Sequence, residues 1–444
     1  MKRPGIIAIV LLAVLALTAC TSDKPSTGSG KKVLKIAVDS KGSYDYLYRD
    51  YIDAAFPDTE IELIELWPDY KVPVSNEEYA EKVKQEKADL IFTWTERYTY
   101  LAREGILTDL SARMSGSGMK EEEFYPGMLE WLKGHGDGVL YGLSNQFNSS
   151  VLYYNEDLFE KYGVEPPHDG MTLAEIYQLG DRFRTAGGGS EGIVGYYEQF
   201  IDQPYAMLQT FATSEGLRMI DFSRGQVAMD TPLWRSTMET MINLYKNDTL
   251  SMHETKSEMI DGEKTFTKEA MEAGDLFGQG KAAMTKMRYS SAEGSKYPFK
   301  TGYAVAPVSS SDPTRSGDID IYRIMAIPNA ADNPDLAWDV IRFMSSDHLA
   351  KVFASLGNED GFSTHSSQLR YTSDPVITRI FELMPIVLPD SEAVDQWDLA
   401  TFYKPFEDVV NRELKEAITD NKPLDDVIAA IQKDGQAILD KAKR

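Results

Sequence analysis

Residues 138–159 read GVLYGLSNQFNSSVLYYNEDLF. Val139-Leu140-Tyr141 has the apolar and aromatic content of a short strand, and Gly142 lets the backbone turn where a side chain would obstruct it. Ser144 to Ser150 form a polar tract, expected to be exposed. Val151-Leu152-Tyr153-Tyr154 is a β-rich run that re-enters a core. Asn155 and Asp157 are placed to start a helix around Leu158 and Phe159. Two buried strands joined by hydrogen-bonding residues suit a chain that leaves one lobe and enters another across a cleft. They suit equally two adjacent core strands of one domain, and this segment alone does not choose.

Upstream, residues 33–94 read as βαβαβ. Leu34, Ile36 and Val38 alternate as a strand. Tyr44, Leu47, Tyr48, Tyr51, Ile52 and Ala55 recur at helical spacing and stop at Pro57. Ile61 to Leu66 is a second strand, and Asn76 can cap a helix through Val83. Ala88-Asp89-Leu90-Ile91-Phe92 is nearly continuous apolar sequence, as a strand covered on both faces should be. This alternation predicts a parallel α/β sheet. Loops past the carboxyl ends of such strands are where open sheets bind ligands, which singles out Trp94, Glu96 and Arg97. A Trp face with an acceptor–donor pair suits a sugar, but a Trp plugging the sheet end beside a solvated ion pair reads equally well.

Downstream, Thr172 and Glu175 form a capping box for a helix carrying Leu173, Ile176, Tyr177 and Phe183. Residues 203–215, 232–247, the 275–290 stretch and 374–444 read as helical, with Phe277 to Met284 leading into a strand. Gly302 to Pro307 and Ile319 to Ile327 read as strands, and Asn333-Pro334 opens a helix whose apolar stripe includes Trp338.

The ends and the charge narrow the class. Lys2-Arg3, the apolar run Ile6 to Leu17 and Leu17-Thr18-Ala19-Cys20 read as a signal segment, too short to span a bilayer. Cys20 is the only cysteine in 444 residues, so it is expected to become a lipidated first residue. Residues 21–32 are small and polar, a flexible tether. Removing residues 1–20 takes away two basic residues and no acid, moving the formal charge from −24 to −26. That acidity disfavours nucleic acid and anionic headgroups. The chain is too long for one core, so two lobes are expected.

The order G-V-L-Y-G-L at 138–143 with L-Y-Y-N-E-D-L-F-E-K-Y-G-V-E-P-P at 152–167 resembles the extracellular solute-binding proteins of ABC importers, the maltose-binding-protein type. The likeness runs through most of 33–444 and is strongest at 88–110, 138–183, 275–290 and 326–350. Gly105 to Leu110 is similar to the family's G-x-L-x-D-L, Phe277 to Met284 to its F-x-x-G-K-A-A-M, and Asn333 to Phe343 to its N-P-x-x-A-W helix. Met171-Thr172-Leu173 departs by lacking the usual Trp, and Met287-Arg288-Tyr289 stands where relatives often carry Gly-x-Trp.

The resemblance implies a two-lobed α/β fold of the periplasmic-binding type II class with a C-terminal helical region. Lobe 1 would take 33–140 and 308–358, lobe 2 would take 150–301 and 359–444, with hinge crossovers near 141–149 and 302–307. It implies a carbohydrate ligand held by Trp94, Glu96, Arg97, Gln146, Asn148, Tyr289 and Trp397, with Trp338 left to packing. The partners are the permease of an ABC importer and the outer face of the membrane through the lipid on Cys20. A monomer without cofactor or metal is expected.

Catalytic motifs are weak. Gly188-Gly189-Ser190-Glu191-Gly192 fits G-x-S-x-G but follows a helix rather than a strand. Gly280-Lys281 continues with Ala282, so no phosphate loop forms, and the five His residues lack metal spacing. The alternative from another class is an extracellular glycoside hydrolase, which would need two carboxyl groups flanking a bond.

Overall fold

The computed structural model describes residues 31–72, 74–247, 249–250, 258–260, 263–291, 293–305, 307–357, 361–388 and 397–444. The signal segment, Cys20 and most of the tether lie outside the described residues. Three parallel strands begin the fold: β1 (Lys32–Val38), β2 (Thr59–Glu65) and β3 (Leu90–Thr93). Between them run two short helices, Lys41–Leu47 and Arg49–Ala55, and then α1 (Asn76–Gln85), which Ser75 and Glu78 cap reciprocally. After β3 the chain turns directly into α2 (Thr95–Arg103) and later α3 (Met128–Gly134).

The polar tract is not an exposed joint. Gly142–Asn155 is one continuous 14-residue strand, β4, buried along nearly all its length, and Val139–Tyr141 is not part of it. The expectation of two strands fails because the tract finds ladder partners on both sides of the crossing. The later strands are β5 (Val194–Tyr196), β6 (Ala282–Arg288), β7 (Thr301–Val305), β8 (Ile319–Ala326) and β9 (Phe362–Ser363), and from Gly142 to Ser149 β4 pairs antiparallel with β8. From Ser150 to Asn155 it pairs with β6 and β7. The sheet order is β2-β1-β3-β8-β4-β6-β5, with β7 and β9 also against β4. Val139–Tyr141 is instead held by single bonds: the Leu110 amide donates to the Leu140 carbonyl at 2.8 Å.

Asn155 caps α4 (Glu156–Tyr162), and Thr172 with Glu175 boxes the start of α5 (Leu173–Thr185), both as the sequence implies. α6 (Pro204–Glu215), α7 (Pro232–Lys246), α8 (Pro334–Met344), α9 (Pro375–Ile380), α10 (Leu399–Thr419) and α11 (Leu424–Ala442) complete the main helices.

Buried apolar side chains divide into two cores. One gathers β1, β3, the first half of β4, β8 and α8. The other gathers α5, α6, α7, α10 and α11 over the far half of the sheet. Phe362, Val376, Ile380 and Leu383 pack in the first core, so residues 359–444 do not follow the second core as one block.

At the centre of the first core, Phe147 is fully buried and stacks on Tyr125 at 3.9 Å, with Phe362 and Phe381 at 5.4 and 5.3 Å. Phe147→Ala is expected to cost about 3–5 kcal/mol in urea unfolding. A loss under about 1 kcal/mol would show that this layer does not anchor the strand.

Candidate ligand-binding site

Side chains alternate across a strand, so the even residues of β4 share one face. Ser144, Gln146, Asn148 and Ser150 form a polar strip there. Register places Tyr322 opposite Gln146, Asp320 opposite Asn148 and Arg288 opposite Ser150. The Tyr322 hydroxyl donates to Asn148 Oδ1 at 3.4 Å. Gln146 is 2% exposed, yet its Oε1 has no hydrogen-bond partner, and neither has Asn145 Oδ1. Desolvation lifts the Asp320 carboxyl above the ordinary range, with Arg288 pulling the other way.

The loops past β1 and β3 supply a wall. Trp94 is the residue before α2, and its ring lies 5.7 Å from that of Trp67. Arg97 is 7% exposed. Its Nη1 donates to Asn76 Oδ1 at 2.6 Å, its other terminal nitrogen to the Val74 carbonyl, and its guanidinium lies over the Tyr79 ring at 5.0 Å. Asn76 Nδ2 in turn reaches Glu96 Oε1 at 3.4 Å. Glu96 and Arg97 are therefore bridged by Asn76 rather than paired with each other. Asp39, the first residue past β1, has its carboxyl pushed from 3.8 to about 7 by desolvation, with Arg97 offsetting part of the rise. Asp39 Oδ1 and Arg97 Nε are both buried without partners.

A buried polar atom left unpaired costs about 1–3 kcal/mol. Asp39 Oδ1, Arg97 Nε and Gln146 Oε1 are such atoms in the wall and on the even face of β4, whereas Asn145 Oδ1 belongs to the opposite face. Burial raises the Tyr48 phenol, with Arg323 opposing the rise and Asp39 and Tyr322 adding to it.

A cavity of about 800 Å3 adjoins this wall. Asn76, Thr95 and Glu96 line it from the first core, and Tyr205, Phe222 and Tyr403 from the second. Tyr403 is half-exposed, and desolvation together with the Glu96 charge raises its phenol. Aromatic faces and polar groups thus meet across an opening between two cores, the composition that small-molecule sites share.

Of the seven residues expected to bind, Glu96 lines the cavity, Trp94 and Arg97 stand side by side next to it, and Gln146 and Asn148 are buried on β4 outside its lining. Tyr289 and Trp397 are elsewhere. Tyr289 is 6% exposed in the first core, with Tyr303 and Phe362 at 5.7 and 6.1 Å, and its hydroxyl donates to Asp374. Trp397 is 4% exposed in the second core beside Phe222. Tyr403, one turn into α10, is the aromatic of that segment that reaches the cavity. Asp39 was open to the same reasoning as Trp94, since both follow a parallel strand. Trp67, just past the second parallel strand, was open to it as well, whereas Arg288, Tyr322 and Arg323 carried no comparable signal.

The model of the bacterial extracellular solute-binding protein family matches residues 48–350, well over half of the chain. The chain belongs to that family. Among curated relatives, an sn-glycerol-3-phosphate-binding periplasmic protein of Brucella abortus is 23% identical over 190 residues, 41% of this chain and 40% of that protein. Its counterpart in Agrobacterium fabrum is 20% identical over 30% of this chain and 31% of that protein. The chain thus spans well under half the length of the curated relatives it matches.

Solved structures align over more of the chain. A sugar transporter of Rhizobium etli in an open conformation has a TM-score of 0.61 at 18% identity, covering 91% of this chain and 99% of that one. The sugar-binding protein MalE of Xanthomonas citri gives 0.64 at 13%, covering 92% and 98%. At these identities the likeness shows the fold, the α/β type II class of solute-binding proteins with its mixed central sheet.

Asp39 makes the site's electrostatics testable. A carboxyl raised in the folded state stabilises below its unfolded value near 4, and that contribution is lost as pH rises through about 7. Asp39→Asn should therefore gain melting temperature over the unmodified chain as pH goes from 4 to 8. Parallel melting curves across that range would mean that Asp39 is not desolvated.

Proposed function

We infer that this chain captures a carbohydrate or related polyol in the groove between its two cores and delivers it to the permease of an ABC importer. The observation that carries the reading is the cavity in which Asn76, Thr95 and Glu96 on one side face Tyr205, Phe222 and Tyr403 on the other. Sugar C–H faces would cover the rings while hydroxyls bond to the polar side chains. Relatives named for binding sugars and sn-glycerol 3-phosphate support a hydroxylated solute. In this reading the protein is exported, tethered through Cys20 to the outer face of the membrane, and acts as a monomer. Two lobes, following the cores, close on the ligand about the β4 and β7 crossings.

Calorimetry against a panel of mono- and oligosaccharides tests this. Stoichiometric heat without release of reducing ends is expected, and turnover would mean an enzyme instead. With the best ligand, Trp94→Ala and Tyr403→Ala should each cost about 2 kcal/mol, the scale of a binding hot spot and roughly thirtyfold in Kd. Trp338 and Trp397, both buried in cores, should on truncation lower the melting temperature and leave affinity nearly unchanged. Affinity that survives both Trp94→Ala and Tyr403→Ala would remove the groove as the ligand site.

A further inference from the structure

The two walls of the cavity are unlike. α2 turns Thr95, Glu96, Thr99 and Arg103 toward it, four polar side chains within about 100° of helical arc. α10 turns Leu399, Phe402, Tyr403 and Phe406 toward it, a stripe equally narrow and almost wholly apolar. The Tyr403 phenol, raised by desolvation and by the Glu96 charge, shows that the two helices face each other across the space.

The apolar wall continues past α10. Leu217, Met219 and Ile220 follow the end of α6 and line the same cavity. Ile386 and Leu388 join them there: a Cβ on Gly216 would lie 2.8 Å from the Ile386 side chain. Leu217, Met219 and Leu399 are half-buried, packed against the second core and reaching the cavity as well.

A sugar ring carries an oxygen on nearly every carbon. Against aliphatic side chains those hydroxyls give up their bonds to water and find no replacement. An apolar group covering the same side chains gains in proportion to the area it takes from water. The cavity, at about 800 Å3, is also larger than one hexose ring fills and is on the scale of a drug-sized ligand's site.

We propose that the solute is a glycoside with an apolar aglycone, aryl or alkyl, whose sugar hydroxyls bind along α2 at Thr95, Glu96 and Thr99 while the aglycone lies against Leu217, Met219 and Leu399. This rests on the cavity being the site of carbohydrate capture and goes further by giving the ligand a second, apolar half.

The test is calorimetry on the full chain with methyl, phenyl and hexyl glycosides of glucose, galactose and mannose in both anomers, and with maltose and cellobiose for comparison. For at least one sugar the phenyl or hexyl member should bind at least about tenfold tighter than its methyl partner. Its binding heat capacity should be more negative, the mark of apolar burial. The ranking of phenyl against hexyl tells the two kinds of aglycone apart. Leu217→Asn and Leu399→Asn should each remove most of the advantage and leave the methyl glycoside within about threefold. Thr99→Ala should weaken both members alike. If one leucine variant does not fold, the other decides. Phenyl and hexyl members that bind no tighter than methyl, a disaccharide that outbinds them, or an advantage that survives both leucine variants overturns the apolar half and leaves carbohydrate capture standing. If these glycosides give no heat while free sugars do, the proposal alone fails. If neither gives heat, the carbohydrate reading fails with it.

Discussion

The molecule depends on one change of partners along one strand. β4 is bonded to β8 up to Ser149 and to β6 and β7 from Ser150 onward. Because the strand does not break there, the two cores share a continuous backbone and a common face. That face is polar at the crossing although it is buried there. Ser144, Gln146, Asn148 and Ser150 lie on it at period two, while Leu143, Phe147 and Val151 on the opposite face fill the first core.

A buried ion cluster stands beside the same crossing. Lys286 on β6 lies 2.8 Å from Asp318, just ahead of β8, and 3.9 Å from Glu198, just past β5. Desolvation would lower the Lys286 ammonium, but Glu198 and Asp318 outweigh it and raise it. Burial lifts the Glu198 carboxyl, against the pull of Lys286, and Tyr196 donates a hydrogen bond to it. Removing one member of such a set leaves an uncompensated buried charge, worth several kcal/mol, whereas the intact set contributes little net stability. Its effect is geometric: three strands from distant parts of the chain meet at one fixed point next to the groove.

Much of this was legible in the sequence. The βαβαβ start, the capping box at Thr172, the Asn155 cap and the loop after β3 rest on local chemistry, and they form where the residues imply. The polar tract was misread because polarity was taken to mean exposure. Strand pairing with Ile319–Ala326, more than 150 positions away, satisfies the backbone of the tract and buries it, and such pairing is not encoded locally. Tyr289 and Trp397 illustrate a second limit. An aromatic in the right segment can serve a core or a cleft, and only packing decides. Tyr403, six residues beyond Trp397, is the one that emerges, because α10 turns it toward Glu96 while Trp397 packs beside Phe222.

The fold also keeps residues that are not those of the most stable protein. Unpaired atoms at Asp39, Arg97, Asn145 and Gln146 and a positive φ at Arg323 each weaken the folded state. They persist because the surroundings over-determine them. Gly361 is an example: a Cβ there would lie 2.2 Å from the Tyr322 hydroxyl and 2.6 Å from Asn148 Oδ1, so only glycine lets this loop close over the pair. Its own φ of +116° demands the same residue. A loop that fixes Tyr322 thereby fixes the ring against which Arg288 and Arg323 rest.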